Sequence, residues 1–408
     1  MISFRQANEL VINALKKLTP GTELVSILDA QGRTIAEDVT SDVDLPSFNN
    51  SAMDGFAIRF DQSIRSWIVK GEIQAGNFTN SGNYSSSGSL DNLSAVSIMT
   101  GSRLPDGFDT VIPIEDAFVR EDNLILNTNA RLVKGMNVSK KGQDVLKGET
   151  VLRKGTFLKA PQIAALAACG KSQVRVFERL KIGVLVTGDE LIRIEQTPSG
   201  DKIRASNLYS ILSAIKEMGM IALNFGIARD NRSEIKAAMA FALEKCDVLV
   251  TTGGVSVGKY DFVKDISGEL GIETVFHKIN IKPGKPVLFG VKRDNGRLQP
   301  VFGLPGNPVS SLVTFYLLVK ANMLKCFGLD ELTSVKAILR GDIVKTDSKR
   351  HFIRGFLERD ENGNVSASPV GLESSGNLVQ MSVSNCLIVI EEERINPLSG
   401  EEVECIMI

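Results

Sequence analysis

The sequence predicts a multidomain α/β protein, in which a central domain with a mostly parallel sheet lies between β-rich segments. Two observations predict this fold class. From about residue 179 to 329, buried-strand patterns alternate with helical spacing, as in 181–186 followed by 207–218. Residues from about 22 to 150, and again from about 330 to 408, instead carry short β-rich runs separated by turn residues.

Local signals predict the individual elements in chain order. Ser3 and Gln6 have the spacing of a capping box and begin an amphipathic helix, and Pro161 and Gly170 bound a second helix. Asn80–Asn92 is rich in Ser, Gly and Asn and is predicted to be an exposed loop. The central segment is predicted to contain further strands at 221–227, 247–251 and 300–304, and helices at 233–246, 260–270 and 309–324. The alternation of strand and helix implies right-handed crossovers between parallel strands. Runs such as 386–390 predict a small C-terminal barrel or sandwich.

Composition limits the classes of function. The 408 residues carry a net charge of -1, so no global field attracts a polyanion and we expect no nucleic-acid partner. Five cysteines without a Cys-x-x-Cys pair, together with two histidines, favour reduced thiols over a zinc site or a disulfide framework. We find no signal-peptide pattern and no run of about 18 apolar residues, and therefore expect a cytoplasmic protein without a membrane partner.

The predicted parallel sheet locates a candidate site. Ligands bind such sheets beyond the carboxyl ends of the strands, which here are followed by the loops 187–190, 229–230, 252–261 and 305–308. Between Gly253 and Gly258, glycine backbone close to a helix start could direct its N–H groups at a phosphate. The loop lacks the P-loop ending and the dinucleotide spacing, and tight turns after strands also need glycine.

Acidic residues lie on three of these loops, and we list them as Asp189, Glu190, Asp230 and Asp261. Clustered carboxylates repel one another unless a hard cation lies between them, so their joint occurrence predicts a Mg²⁺ site acting on a phosphorylated or oxyanion ligand. Each one alone is at least as well explained as a helix or turn cap.

Positive charge comes from the segment 277–286. Pro283 and Gly284 suit the centre of a type II turn, which would fix Lys282 and Lys285 on either side of a rigid bend. Fixed ammonium groups can hold a small oxyanion. A solvated hairpin with lysines for solubility is the simpler alternative.

A serine hydrolase is a further possibility. The pattern Gly254-Val255-Ser256-Val257-Gly258 matches a nucleophile elbow, and only His277 and His351 could supply the base. His277 lies in a strand-like stretch and His351 in the segment assigned to the C-terminal domain, which weakens this hypothesis.

Taken together, the motifs resemble the molybdopterin molybdenumtransferase family, which includes the E domain of gephyrin. The resemblance covers nearly the whole chain. It is carried by the segments 46–57, 98–101, 187–191, 253–258 with Asp261, 281–286 and 303–308.

The resemblance implies a fold, an activity and partners. It implies a helical linking domain (1–45 and 142–178), a β-rich domain (46–141), an α/β molybdopterin-binding domain (179–329) and a C-terminal β-barrel (330–408). It further implies a homodimer whose cleft lies between the α/β domain of one subunit and the β domain of the other. The implied reaction is Mg²⁺-dependent insertion of molybdate into adenylylated molybdopterin with release of AMP, in molybdenum cofactor biosynthesis. The molybdopterin adenylyltransferase is an implied partner.

The resemblance also implies roles for residues. Glu190 and Asp261 are similar to the Mg²⁺-binding and catalytic carboxylates, supported by Asp54 and Asp230. The implied substrate-binding residues are Gly253, Gly254, Ser256, Gly258, Lys278, Lys282, Lys285, Pro305, Pro308, Arg354, Ser375, Thr100 and Asp144. Two segments depart from the family pattern: 139–144 lacks a run of arginines, and 373–375 lacks a Gln-Gly-Ser pattern. A pterin-binding scaffold without turnover is the alternative function, although an intact set of Glu190, Asp261, Lys282 and Lys285 argues against it.

Overall fold

A computed structural model describes residues 1–18, 20–73, 76, 91–255, 262–294, 296–327, 332–371 and 376–408. The described chain divides into two compact units. The first unit contains residues 1–23, 32–36 and 175–408, and the second contains 24–31 and 37–174.

The elements are as follows. The helices are α1 (Phe4–Leu15), α2 (Ala160–Ala168), α3 (Ser206–Glu217), α4 (Arg232–Lys245), α5 (Val263–Glu269), α6 (Pro308–Thr314), α7 (Ala321–Cys326) and α8 (Leu378–Ser382), with a 3₁₀ turn at Ile114–Asp116 and a π-helical segment at Phe315–Lys320. The strands are β1 (Thr22–Ser26), β2 (Val39–Thr40), β3 (Asn50–Ser51), β4 (Gly55–Ile58), β5 (Ser66–Ile73), β6 (Ser94–Ile98), β7 (Thr110–Pro113), β8 (Ala117–Arg120), β9 (Asn123–Leu126), β10 (Val138–Ser139), β11 (Thr150–Leu152), β12 (Gln173–Phe177), β13 (Lys181–Thr187), β14 (Leu191–Ile192), β15 (Ile203–Arg204), β16 (Ile221–Ala228), β17 (Val248–Thr252), β18 (Ile272–His277), β19 (Ile281–Lys282), β20 (Leu288–Asp294), β21 (Arg297–Leu304), β22 (Ser334–Leu339), β23 (Arg350–Arg359), β24 (Val365–Pro369), β25 (Cys386–Ile390) and β26 (Glu402–Met407).

The first unit is built around a six-stranded sheet. Its order is β16-β13-β17-β21-β20-β18, in which the first four strands are parallel and the last two antiparallel. The prediction of a mostly parallel sheet is confirmed. The strand-like stretch at His277 is β18, while β20 was not predicted. From β13 the chain continues to β16 on one side and then to β17 on the other, so the strand order reverses at β13. The carboxyl ends of β13 and β17 therefore border the crevice where such sheets bind ligands.

Helices cover both faces of this sheet. Ile182, Val184 and Val186 of β13 pack into one core with α1, α3 and the helix that begins at Pro308. Leu185 points the other way, into a core with α4 and α5. The capping box predicted at Ser3 is present, with the backbone N–H of Gln6 donating to Ser3 Oγ at 3.2 Å. Residues of α1 thus belong to the core of the first unit. The boundaries of the four domains stay a prediction.

One helix in the described part of the chain, Pro308–Cys326, is long and apolar enough to cross a membrane. The sequence analysis expected no such segment. Within this helix, 67% of the most apolar window is buried inside the protein, as is typical of a core helix.

The C-terminal part of the first unit is a closed barrel. Its strands follow the order β23-β24-β22-β26-β25, and β25 pairs back onto β23 to close the sheet. Closure removes the exposed strand edges and encloses a core that includes Leu339, Ile388 and Cys405. The sequence predicted either a barrel or a sandwich for this C-terminal segment, and the structure shows a barrel.

The second unit contains another six-stranded sheet, of order β7-β4-β6-β5-β9-β8. Its cores include the fully buried Trp67 on one face and Val96 on the other. The helix predicted between Pro161 and Gly170 is α2. Most of the loop predicted at 80–92 lies outside the described residues.

Candidate functional site

A cleft of about 420 Å³ opens at the carboxyl ends of β13, β17 and β21, and we call it the carboxyl-end cleft. It lies where the reversal of strand order predicts a ligand site. Its described lining residues are Thr187, Gly188, Glu190, Leu191, 203–207, Asp230, 252–255, Pro286 and 305–308. Six predicted site residues therefore line one cleft: Glu190, Asp230, Gly253, Gly254, Pro305 and Pro308.

Two carboxylates form the acidic wall of the cleft. The Glu190 carboxylate folds back over Gly188, where a Cβ atom would meet both of its oxygens at 2.7 Å. Asp230 lies opposite on the loop after β16, and its amide donates to Asp189 Oδ1 at 3.1 Å. Glycine at 188 thus allows Glu190 its position, while Asp189 orients Asp230 instead of lining the cleft.

Glycines form the floor. A Cβ atom on Gly253 would lie 2.5 Å from the Thr187 carbonyl oxygen, and one on Gly306 would lie 3.6 Å from Gly253 Cα. The Gly253 N–H donates to the Leu304 carbonyl at 3.1 Å. This N–H therefore pairs with a neighbouring strand, whereas the expectation that N–H groups of the loop from Gly253 to Gly258 bind a phosphate stays a prediction, because residues 256–258 lie outside the described chain. Gly253 instead allows the loops after β13, β17 and β21 to pack closely.

Two helices begin at the cleft. The first turn of α3 contributes Ser206 and Asn207, and the helix starting at Pro308 contributes its first residue. Helix N-termini carry unpaired N–H groups and a partial positive charge, so both starts favour an anion. Asn207 Nδ2 donates to the Gly306 carbonyl at 2.7 Å, which joins the two helix starts. Its buried Oδ1 has no hydrogen-bond partner within the described chain and is an available acceptor.

The cleft is also lined by a cation, Arg204, that the sequence analysis did not single out. Arg204 Nε donates to the carbonyls of Ile194 and Gln196 at 2.9 and 3.1 Å, which holds the side chain in place. Arg204 lies in a stretch with no clear periodicity, so only its position just before α3 could have pointed to it.

The predicted lysines are placed beside the cleft instead of in it. Among the described lining residues, the segment 277–286 contributes Pro286 and none of Lys278, Lys282 or Lys285. Gly284 has φ +100°, as a type II turn requires at its second central position, and the Lys282–Pro283 bond is cis. The turn is packed against the helix that begins at Pro308, since a Cβ on Gly284 would meet Thr314 Cγ2 at 2.2 Å.

The second unit contains its own group of predicted residues. Asp54 Oδ1 accepts hydrogen bonds from the backbone N–H and the hydroxyl of Thr100, both at 2.7 Å. These two bonds hold the pKa of Asp54 below its usual value. Asp144 is exposed, and its amide donates to the Leu45 carbonyl at 2.9 Å. Asp54 and Thr100 thus form an exposed, hydrogen-bonded pair.

The remaining predicted residues are outside the cleft or outside the described residues. Arg354 is buried in the barrel and donates to the Asn377 carbonyl at 2.9 Å, and burial lowers the pKa of its guanidinium. Four predicted site residues lie outside the described chain: Ser256, Gly258, Asp261 and Ser375.

Comparisons with known proteins cover the whole chain. Sequence-family profiles match the MoeA N-terminal region (domain I and II) at residues 2–170, a "probable molybdopterin binding domain" at 183–325 and the MoeA C-terminal region (domain IV) at 336–408. A molybdopterin molybdenumtransferase of Haemophilus influenzae is 36% identical, covering 99% of this chain and 98% of the relative. The chain belongs to the molybdopterin molybdenumtransferase family. The chain is therefore a transferase.

Other relatives agree with the molybdopterin molybdenumtransferase assignment. One from Bacillus subtilis is 33% identical, covering 95% of this chain and 90% of the relative. The crystal structure of a molybdopterin biosynthesis moeA protein from Pyrococcus horikoshii OT3 superposes with a TM-score of 0.81 at 30% identity, covering 100% of both chains. The fold class predicted from the sequence is thereby confirmed.

The histidines do not fit a hydrolase in this transferase family. His277 Nε2 lies 2.8 Å from the Val255 carbonyl oxygen, and His351 Nε2 lies 2.8 Å from Asp347 Oδ1 in the barrel. A base for Ser256 would need that ring nitrogen facing a hydroxyl. All five cysteines are free thiols, as the sequence predicts.

A divalent cation is compatible with the carboxyl-end cleft. The described residues contain no group of three or more His, Cys, Asp or Glu side chains able to hold a metal by themselves. Mg²⁺, however, is commonly held by one or two carboxylates together with substrate oxygens. Glu190 forms no ion pair within the described chain and shares the cleft with Asp230, so this pair fits that mode of binding.

Proposed function

We propose that the chain transfers molybdenum, supplied as molybdate, to adenylylated molybdopterin, in a Mg²⁺-dependent reaction that releases AMP. One observation carries the proposal: two carboxylates, Glu190 and Asp230, share a cleft with the starts of two helices at the reversal point of the sheet. The same cleft thus offers oxygen ligands for a cation and positive potential for a phosphate.

Substrate binding follows from the charges around the cleft. The starts of α3 and of the helix at Pro308 attract the phosphate groups, and Arg204 adds a cation held by two carbonyls. Asn207 Oδ1 accepts a hydrogen bond from an N–H group of the pterin. The orientation of this amide is set by its Nδ2 group, which must face the Gly306 carbonyl.

Glu190 and Asp230 would hold the Mg²⁺ ion, with Asp261 as the third predicted carboxylate. When bound, the ion neutralises charge that develops on the phosphate as AMP leaves. The protein's own contribution is to position the two carboxylates, through the space at Gly188 and the bond from the Asp230 backbone N–H to Asp189.

We further propose that the protein acts as a cytoplasmic homodimer and receives its substrate from the molybdopterin adenylyltransferase. Asp54, Thr100 and Asp144 of one subunit would then complete the cleft of the other. Lys278, Lys282, Lys285, Arg354 and Ser375 would hold molybdate or pterin phosphate. The exposure of Asp54 and Thr100 supports a role in contact with another molecule.

The test is AMP release from adenylylated molybdopterin by the purified protein. We expect release that requires both molybdate and Mg²⁺, and loss of about 100-fold or more in Glu190→Gln, which keeps shape but removes a charge. Glu195→Gln is the matched control, an exposed glutamate just after β14 and outside the described lining of the cleft, and it should retain activity.

Two results would contradict the proposal. Tight binding of the adenylylated pterin without AMP release would favour the scaffold function. Full turnover in Glu190→Gln would show that the cleft is not the reaction site.

A further inference from the structure

A second cavity, of about 120 Å³, lies at the opposite ends of the same strands, and we call it the amino-end cavity. Lys181 is the first residue of β13 and Arg297 the first of β21, and both line it. β13 ends at Thr187 in the carboxyl-end cleft. At about 3.3 Å per residue, the two sites lie roughly 20 Å apart.

The amino-end cavity carries an excess of positive charge. It is lined by four cations and two carboxylates, namely Lys17, Arg179, Lys181, Arg297, Glu178 and Asp247. This excess is local, because the whole chain has a net charge of -1. A concentrated positive field at one cavity attracts anions.

One cation and one carboxylate form the frame of the cavity. Asp247 Oδ1 accepts from Arg297 Nη2 at 2.7 Å, and Oδ2 accepts from the backbone N–H of Lys181 at 2.7 Å. Arg297 Nη2 also donates to the Cys246 carbonyl at 3.0 Å. Both oxygens of Asp247 are thus engaged, and its charge is balanced by Arg297.

The charges of the other three cations are not balanced by an ion pair of this kind. Within the part of the chain that the structure describes, Lys17, Arg179 and Lys181 form no ion pair. The remaining carboxylate, Glu178, lies over Gly21, where a Cβ atom would meet both of its oxygens at 2.7 Å. All three are exposed to solvent, and an anion bound between them would be attracted by each of the three charges.

The size of the cavity limits the anion. Drug-sized ligands occupy roughly 300–1,000 Å³, so a cavity of about 120 Å³ admits only a small ion or one end of a larger molecule. A neighbouring cavity shares Arg179 and Glu178, but its own cation, Arg33, is buried and paired with Glu23 and the Phe177 carbonyl. It therefore adds no binding group.

We propose that the amino-end cavity is a second binding site, distinct from the carboxyl-end cleft, which takes a dianionic oxyanion of the phosphate type. Arg179 presents a planar pair of N–H groups suited to two oxygens of a tetrahedral anion, and Lys17 and Lys181 supply point charges. The anion is either a free ion or the terminal phosphate of a larger molecule.

The experiment is calorimetric titration of the full chain with inorganic phosphate at low salt. We expect a binding component that weakens about tenfold or more in Arg179→Gln and is lost in the double variant with Lys181→Gln, separate from any phosphate bound in the carboxyl-end cleft. Glu178→Gln removes a negative charge from the cavity and should strengthen binding a few-fold, which a merely structural role would not do. Arg359→Gln, an exposed arginine of the barrel, is the matched control and should leave the affinity unchanged.

Competition experiments identify the source of the anion. Sulfate and molybdate should compete if the site takes free oxyanions, and AMP should compete if it takes a terminal phosphate. Thermal unfolding of each variant checks that it is folded. Phosphate affinity that is undetectable in the wild type, or identical in the double variant and the wild type, would overturn the proposal. These readouts do not depend on AMP release, so this proposal and the proposed function can fail separately.

Discussion

Replacement of Gly253 by alanine should damage the carboxyl-end cleft, and the structure allows the cost to be worked out. Gly253 has φ +87°, a conformation that costs an L-residue about 1–2 kcal/mol. Its Cβ would also lie 2.5 Å from the Thr187 carbonyl oxygen, a backbone atom that cannot rotate away. Forcing such a contact adds about 1–3 kcal/mol. We therefore expect Gly253→Ala to lower the free energy of unfolding by about 2–5 kcal/mol in urea.

Gly306→Ala is the matched control for this substitution. Gly306 lies in the same cleft, but the nearest atom to its Cβ would be Gly253 Cα at an ordinary distance of 3.6 Å. Its free energy of unfolding should change by less than about 1 kcal/mol. Equal destabilisation by the two substitutions would refute the account of the cleft floor. The shift of Thr187 should also reduce AMP release in Gly253→Ala by about tenfold or more, because it moves the loop that carries Glu190.

Three further predictions concern neighbouring groups. Asn207→Ala removes the hydrogen bond from the Asn207 side chain to the Gly306 carbonyl and should cost about 0.5–1.5 kcal/mol of unfolding free energy in urea, whereas an unchanged value would contradict that role. Thr100→Val should raise the pKa of Asp54 toward its usual value in an NMR titration. Because the folded pKa is depressed, Asp54 stabilises the fold above its unfolded pKa of about 4, and this contribution is lost as the pH falls through the folded pKa. The variant should therefore lose less stability on acidification. Arg204→Gln should raise the KM for the adenylylated pterin about tenfold, and an unchanged KM would exclude Arg204 from substrate binding.

The sequence predicted the location of the cleft because strand and helix periodicity are local properties. The runs at β13 and β17 are apolar enough to be buried on both faces, and the residues that follow them must meet at one edge of a parallel sheet. Glu190, Asp230, Gly253 and Pro305 could be found in this way.

What could not be predicted depends on contacts between distant residues. The bond from the Gly253 N–H to the Leu304 carbonyl depends on which strands are neighbours in the sheet. The placement of Lys282 depends on a turn packing against a helix that begins about 25 residues later. Arg204 was missed because the residues between β14 and α3 have no regular pattern, and its side chain is held by two carbonyls of the loop between β14 and β15.

The most direct measurement is a crystal structure of the protein with adenylylated molybdopterin bound. We predict that the phosphates lie at the starts of α3 and of the helix at Pro308, within reach of Glu190 and Asp230, with a pterin N–H near Asn207 Oδ1. A substrate bound with full occupancy elsewhere, and the carboxyl-end cleft filled only by solvent, would contradict the account.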